Sequence, residues 1–268
     1  MTPFLRIGQS LQGQAGFYTI GKQIQKTVWL AKDKLHQPVF IKSVHHFRLQ
    51  NERDIMEPSD PPAIVLKHLD DNLLNASTFQ KLTRSQIKHV AKSVLEALSV
   101  LHAHTFVHTD FGSTVPASSA YAKDGNMIGA PIWRSPEVHL RIGWGTAPDI
   151  WSFGATLISL LYGNNFFLFK PDVSADHEDY DLRILQRQCE FLGPFPLSYR
   201  EICPPGTLDV LARIMRGIPP ERKRPFTRIS EKELRRGDKE FIVRIMRLDP
   251  RERPSAVELL RVRWFEVE

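Results

Sequence analysis

The sequence is poor in cysteine, with only Cys189 and Cys203 among 268 residues. Two thiols are too few for a disulfide framework or a structural zinc site, so both are expected to be reduced and packed, in an intracellular setting of cytoplasm or nucleus. Long hydrophobic runs are also missing. The most apolar segment, Ile150 to Gly163, contains Ser152, Thr156 and Ser159 and falls short of the roughly 18 residues a membrane span needs. A buried helix is its expected form. The opening Met1-Thr2-Pro3-Phe4-Leu5-Arg6 has no sustained apolar stretch, which speaks against a secretory signal. Charge of one sign is nowhere concentrated: 36 Lys and Arg against 30 Asp and Glu give a net +6, with acids and bases interleaved. This favours solubility and a mild preference for anions over a dedicated nucleic-acid surface, which would set aromatics among its cations. No repeat or low-complexity tract is present. What the chain does have is 42% apolar residues, enough for one large domain or two lobes.

The first third reads as strands. Gly16 to Ile20, Thr27 to Ala31 and Pro38 to Lys42 are short β-branched and aromatic runs separated by turn residues, the pattern of an antiparallel meander. A helix is expected over 47–56, ended by Pro58, Pro61 and Pro62, and Ala63 to Leu66 is a buried-strand candidate. Thereafter the texture is helical. Thr83-Arg84-Ser85-Gln86 is a capping-box pattern ahead of Ile87, Val90, Ala91, Val94, Leu95, Leu98 and Leu101, which form one apolar stripe. Further helical periodicity runs through Asp149 to Tyr162, Leu208 to Met215, Phe241 to Met246 and Ala256 to Val262. Strands first and helices afterwards predict an α+β chain of two lobes, hinged near Lys67 to Leu73.

Several motifs resemble those of eukaryotic protein kinases. Val39-Phe40-Ile41-Lys42 is similar to the strand that carries the nucleotide-anchoring lysine. The glycine-rich loop of that family falls on 21–28, where Gly21 and Val28 match but Gln23 and Lys26 replace two glycines whose backbone amides approach the phosphates. Glu52 is placed as the helix partner of Lys42, the bland alternative being a solvated carboxylate. Gly129 to Glu137 resembles the end of an activation segment, with Ser135-Pro136-Glu137 for Ala-Pro-Glu. Asp149-Ile150-Trp151-Ser152-Phe153-Gly154 is similar to the start of the large lobe's central helix, and Leu248 to Ser255 to the turn before its last helix. The resemblance implies a buried bidentate pair between Arg253 and Glu137. It covers 16–265 and implies a bilobal α+β fold: an extension at 1–15, a truncated small lobe at 16–69 and a large lobe at 70–268. The wording Trp133 to Val138 leans toward the cyclin-dependent and splicing-factor group. ATP and Mg²⁺ are implied as cofactors, both weakly held, with Leu66 and His68 joining Gly21, Val28 and Lys42 on the nucleotide side. A protein substrate or scaffold partner is implied, with no specific nucleic acid and no membrane.

The decisive segment is Phe106-Val107-His108-Thr109-Asp110-Phe111-Gly112. Kinases use one aspartate to orient the acceptor hydroxyl and another to hold magnesium. Here Asp110 ends the first motif and begins the second. If it is the base, the metal-binding asparagine should lie five residues on, where Val115 stands; if it is the metal ligand, the base is missing. A second shortening lies between Glu52 and Ala63, where ten residues are too few for the rest of a helix, a turn and another strand. Both sites read as clean excisions, as skipping of coding segments would leave. The family function, phosphoryl transfer from ATP to Ser or Thr hydroxyls, is therefore expected to be weak or lost, with a pseudokinase scaffold as the alternative. Smaller expectations are that His102, His104 and His108 are packed or surface residues rather than metal ligands, and that Arg222-Lys223-Arg224 is a solvated loop rather than a nuclear address. Phosphorylation at Ser113, Thr114, Ser118, Ser119 or Tyr121 is expected to order the activation segment against Arg134 or other cations.

Overall fold

The alternation of apolar and polar residues in the first third closes into one antiparallel sheet in the computed structural model. The structure describes residues 5–13, 16–25, 28–43, 64–68, 71–108 and 114–266, with backbone alone at 64, 66, 67 and 74. The helix expected over 47–56 lies outside them, as do Lys26, Glu52, Asp110 and Ser113. Strands β1 (Ser10–Gly13), β2 (Gly16–Gln25), β3 (Val28–Lys32), β4 (Pro38–Lys42) and β5 (Ile64–Lys67) pair in sequence order. β1 is an addition to the sequence reading, which left 1–15 as an extension, and β2 runs five residues beyond Ile20. In β3 and β4 every second side chain is buried, so Trp29, Ala31, Val39 and Ile41 join Leu11, Tyr18 and Ile20 on one face.

The helical part is built from α1 (Leu73–Phe79), α2 (Arg84–Ala103), α3 (Ala120–Lys123), α4 (Pro136–His139), α5 (Ala147–Tyr162), α6 (Tyr180–Leu192), α7 (Pro205–Gly217), α8 (Arg236–Ile245) and α9 (Ala256–Leu260). α2 starts on the expected capping box: Thr83 Oγ1 accepts from the Gln86 amide, and the Gln86 side chain accepts from the Thr83 amide. Its stripe buries Ile87, Ala91, Leu95 and Leu98, while Val94 remains exposed. α5 is buried on nearly every side, with Trp151 and Ile158 fully enclosed. Gly154 lets α8 approach it: a Cβ there would run into Met246 Sδ and meet Ile245 Cγ2 at 2.6 Å. α6 is a helix the sequence reading omitted; its inner face carries Gln188 and Glu190 beside Ile184, Leu185 and Cys189, too polar to register as a stripe. The two cysteines are free and buried, and burial raises both thiols to about 11, so neither is a thiolate at neutral pH. No helix among the described residues is long and apolar enough to cross a membrane.

The chain divides into two units, 1–72 with 109–115, and 73–108 with 116–268. Each has its own core, the sheet face in one and a larger cluster around α5 in the other.

Candidate active site

On the sheet, Gly21, Val28, Lys42 and Leu66 sit on strands β2 to β5 and His68 lies just past the end of β5. Lys42 closes β4 and lies in register with Val28 on β3 and with Ile64 on β5. The backbone of Leu66 pairs with that of Phe40, whose ring stands 4.9 Å from the His68 ring. Gly21 is within β2 at an irregularity between Ile20 and Lys22, and a Cβ there would sit 3.3 Å from the Leu30 carbonyl oxygen. Its place is thus a close strand-to-strand approach. Gln23 pairs with Trp29, so that position too is strand. The structure brings Val28 and Lys42 together as cross-strand neighbours.

In the helical unit the best-formed feature is the Glu137–Arg253 pair. Arg253 Nη1 and Nη2 donate to the two Glu137 carboxylate oxygens at 2.6 and 2.7 Å, and both side chains are fully buried. Nε donates to the Arg247 carbonyl, Nη1 also to that of Ala147 and Nη2 to that of Leu248, and the guanidinium lies 4.9 Å over the Trp151 ring. A buried ion pair survives only when its hydrogen-bonding capacity is used this fully. Pro136 starts α4 and so puts Glu137 in the first turn, where an acid suits the helix dipole. Ser135, which replaces the family's alanine, leaves its buried Oγ without a hydrogen-bond partner among the described residues.

Asp149 does a comparable task at the start of α5. Its Oδ2 accepts from the His108 amide at 2.8 Å and contacts His102 Nε2 at 2.9 Å. Burial raises the Asp149 carboxyl, and the bonds from His102 and His108 oppose that rise. The result fixes the backbone just before 109–110 to the most buried helix of the unit. Sequence reasoning missed the part of His102, because the two residues are 47 positions apart and no local pattern links them. Among the described residues no group of three His, Cys, Asp or Glu could hold a metal ion.

The activation-segment expectation needs correction at Arg134. Its guanidinium donates to the carbonyls of Ile128 and Gly129 at 3.0 and 2.8 Å and lies 3.5 Å from Asp181 Oδ1, nearly buried. It is committed to two carbonyls of the segment and to Asp181 of α6, so the phosphate partner would have to be another cation. Of the hydroxyls proposed for modification, Thr114 is buried, Ser119 Oγ caps α3, and Tyr121 donates to the Met127 carbonyl at 2.8 Å. Ser118 is exposed. Arg222 pairs with Glu190 at 3.0 Å, which ties the basic triplet to α6.

A meander of five strands followed by helices around a buried central one, with a carboxylate–guanidinium lock, defines a bilobal α+β fold of the kinase type. The family model described as protein kinase domain matches residues 109–265, and the chain belongs to that family. It is similar to serine/threonine-protein kinase PAK 5 of Rattus norvegicus, with 27% identity over 200 residues, 64% of this chain and 28% of the relative. It is also similar to serine/threonine-protein kinase PAK mbt of Drosophila melanogaster (26% over 208 residues, 67% and 33%). A third relative is serine/threonine-protein kinase SMU1 of Mycosarcoma maydis (31% over 124 residues, 39% and 17%). The chain spans a third or less of the length of these three relatives. They give no support to the leaning of Trp133 to Val138 toward the cyclin-dependent and splicing-factor group.

Proposed function

We propose that this chain is a serine/threonine-kinase-like domain whose phosphoryl transfer from ATP is weak or absent, with a shortened small lobe at 16–69 and a large lobe at 70–268. The observation that carries the reading is the single Asp110 standing where the family needs two carboxylates, next to a large lobe whose Glu137–Arg253 pair is formed. In support, the matched length of the PAK 5 relative, 200 residues, exceeds the 64% of this 268-residue chain that it covers. The difference is in the direction that a shortened chain would give.

The metal donor set does not fit. Mg²⁺ takes oxygen ligands in octahedral array, and with Asp110 as the base the position of the metal-binding asparagine is held by Val115, an apolar side chain 4% exposed. Lys42 would bring its ammonium to nucleotide phosphates with Glu52 as its partner, but a point charge on a flexible stem, without the second and third glycines of the loop, holds them loosely. Phosphoryl transfer rests on positioning and charge neutralisation, and a thousandfold loss of rate corresponds to about 4 kcal/mol of barrier. Whichever post Asp110 fills, the one left empty is enough to reach that. The second reading, a non-catalytic scaffold for protein partners, is favoured by the fully satisfied Glu137–Arg253 and Asp149–His108 contacts, which keep the large lobe folded without reference to ATP.

The test is direct. Mg²⁺-ATP is expected to raise the melting temperature little; a large rise abolished by Lys42→Ala defeats the reading of a weak nucleotide site. Phosphate transfer to a generic protein substrate that disappears with Asp110→Asn defeats the reading of lost chemistry.

A further inference from the structure

Helices α2 and α5 of the helical unit border a cavity of about 230 Å³. His102, in the last turn of α2, touches Asp149, in the first turn of α5, so the end of one helix and the start of the other share one end of the cavity. From there Asp149, Phe153, Leu157 and Leu160 line it along α5, and Leu98 and Val94 line it from α2. Leu160 stands eleven positions after Asp149, about 16 Å along the helix axis. The walls are thus mostly apolar, with a carboxylate at one end. We infer that this cavity binds a small primary amine, its ammonium on Asp149 and its apolar body, one ring with a short chain, along α5. The inference lies within the helical unit and holds whether or not the domain transfers phosphate.

The head group follows from what the polar atoms still lack. A carboxylate accepts several donors on its two oxygens. Oδ2 of Asp149 takes the His108 amide and contacts His102 Nε2, while Oδ1 accepts from nothing among the described residues, although the side chain is only 3% exposed. Oδ1 is not sealed in protein either, and the open space that Asp149 lines is the cavity. Ser152 Oγ and Thr156 Oγ1, also on the cavity wall, have each given their only proton to a carbonyl, of Trp133 and of Ser152, so they present lone pairs alone. All three groups ask for a donor. An ammonium brings three protons and the charge that strengthens a bond to a carboxylate. An anionic head would meet Asp149 as a like charge, with no lysine or arginine among the described lining residues to offset it.

The body follows from size and from the apolar walls. The volume is above the roughly 150 Å³ of an apolar cavity that holds benzene and below the roughly 300 Å³ at which drug-sized pockets begin. One ring and a short chain suit that range. Water alone would satisfy Oδ1 but would gain nothing from Val94, Leu98, Phe153 and Leu157, whose surfaces an apolar body covers.

The experiment is isothermal titration calorimetry of the full chain with phenethylamine, phenethyl alcohol and phenylacetate, which share a ring and a two-carbon chain and differ in the head. Phenethylamine is expected to bind saturably, about tenfold or more tighter than the alcohol, and phenylacetate not to bind. Asp149→Asn is expected to bring the amine down to the alcohol. Because that change also touches the anchor of His108, Val94→Trp supplies a second arm: Val94 is 39% exposed on the cavity wall, and a larger ring there fills the space from outside the core. It is expected to weaken phenethylamine about tenfold or more with an unchanged far-ultraviolet circular dichroism spectrum. Val100→Trp, 60% exposed on the same helix and away from the cavity, is expected to leave binding as it was. No saturable binding of phenethylamine, equal affinity for the three heads, undiminished binding in Val94→Trp, or an equal loss in Val100→Trp overturns the proposal.

Discussion

At the scale of single residues, the Glu137–Arg253 lock makes the sharpest demand. Arg253→Met leaves a fully buried carboxylate unpaired and three carbonyls without their donor. The expected cost is about 3 to 5 kcal/mol, read from the denaturant midpoint, and the double variant Glu137→Leu with Arg253→Met should recover part of it because the lone charge is gone. His139 supplies a pH test. Burial, then the neighbouring Arg134 guanidinium, hold the imidazole far below its ordinary range, at about 3. Its Nε2 lies 3.1 Å from the Pro131 carbonyl, and Nδ1 is 3.5 Å from Asp181 Oδ1. Because the folded value is depressed, the unfolded chain binds the extra proton first. Stability attributable to this residue is therefore complete above about pH 6.5 and is lost as pH falls toward 3. Unfolding free energy measured across that window should slope downward with acid, and His139→Phe should flatten the slope.

At the scale of elements, close helix approach is the main theme. Gly154→Ala raises the helix propensity of α5 but drives a methyl group into Ile245, whose branched side chain yields poorly. A net loss of about 1 to 3 kcal/mol is expected, and a melting temperature no lower than the parent's would show that α8 can shift. The same scale shows what the sequence could reveal. β4 was legible to the residue because its period-two alternation is bounded by turn residues, and α2 because Thr83 and Gln86 announce its start. β1 was not, since Leu11 is its only buried residue, and α6 was not, since Gln188 and Glu190 occupy its inner face. Gln188 earns that place by donating to the Arg134 carbonyl, a partner 54 residues distant. For the site, Glu137, Asp149 and Arg253 were readable from motif wording. The commitments of His102 and Arg134 were not, because they are made to a distant carboxylate and to backbone carbonyls, which leave no trace in residue type.

At the scale of the whole molecule, the two units differ in how much core they own. Among the described residues the sheet unit has a core of eight buried apolar side chains, counting Leu5, whereas the helical unit encloses α5 within a far larger cluster. Local opening free energies follow buried apolar contact. Amides of β2 to β4 are expected to exchange with deuterium well before those of α5, by mass spectrometry of peptic fragments; coincident exchange would mean that the chain opens as one cooperative body. The order matters for function, because the less protected unit is the one that carries Lys42.

The setting of Trp151 offers a practical handle. Its indole is fully enclosed, stacked 5.5 Å from the Phe169 ring on one contact and 4.9 Å from the Arg253 guanidinium on another. A chromophore in so dry and charged a niche emits according to whether that cation stays in place. With the other four tryptophans replaced by phenylalanine, intrinsic fluorescence can thus serve as a label-free gauge of large-lobe integrity, reading the loosening of one guanidinium before the lobe itself comes apart.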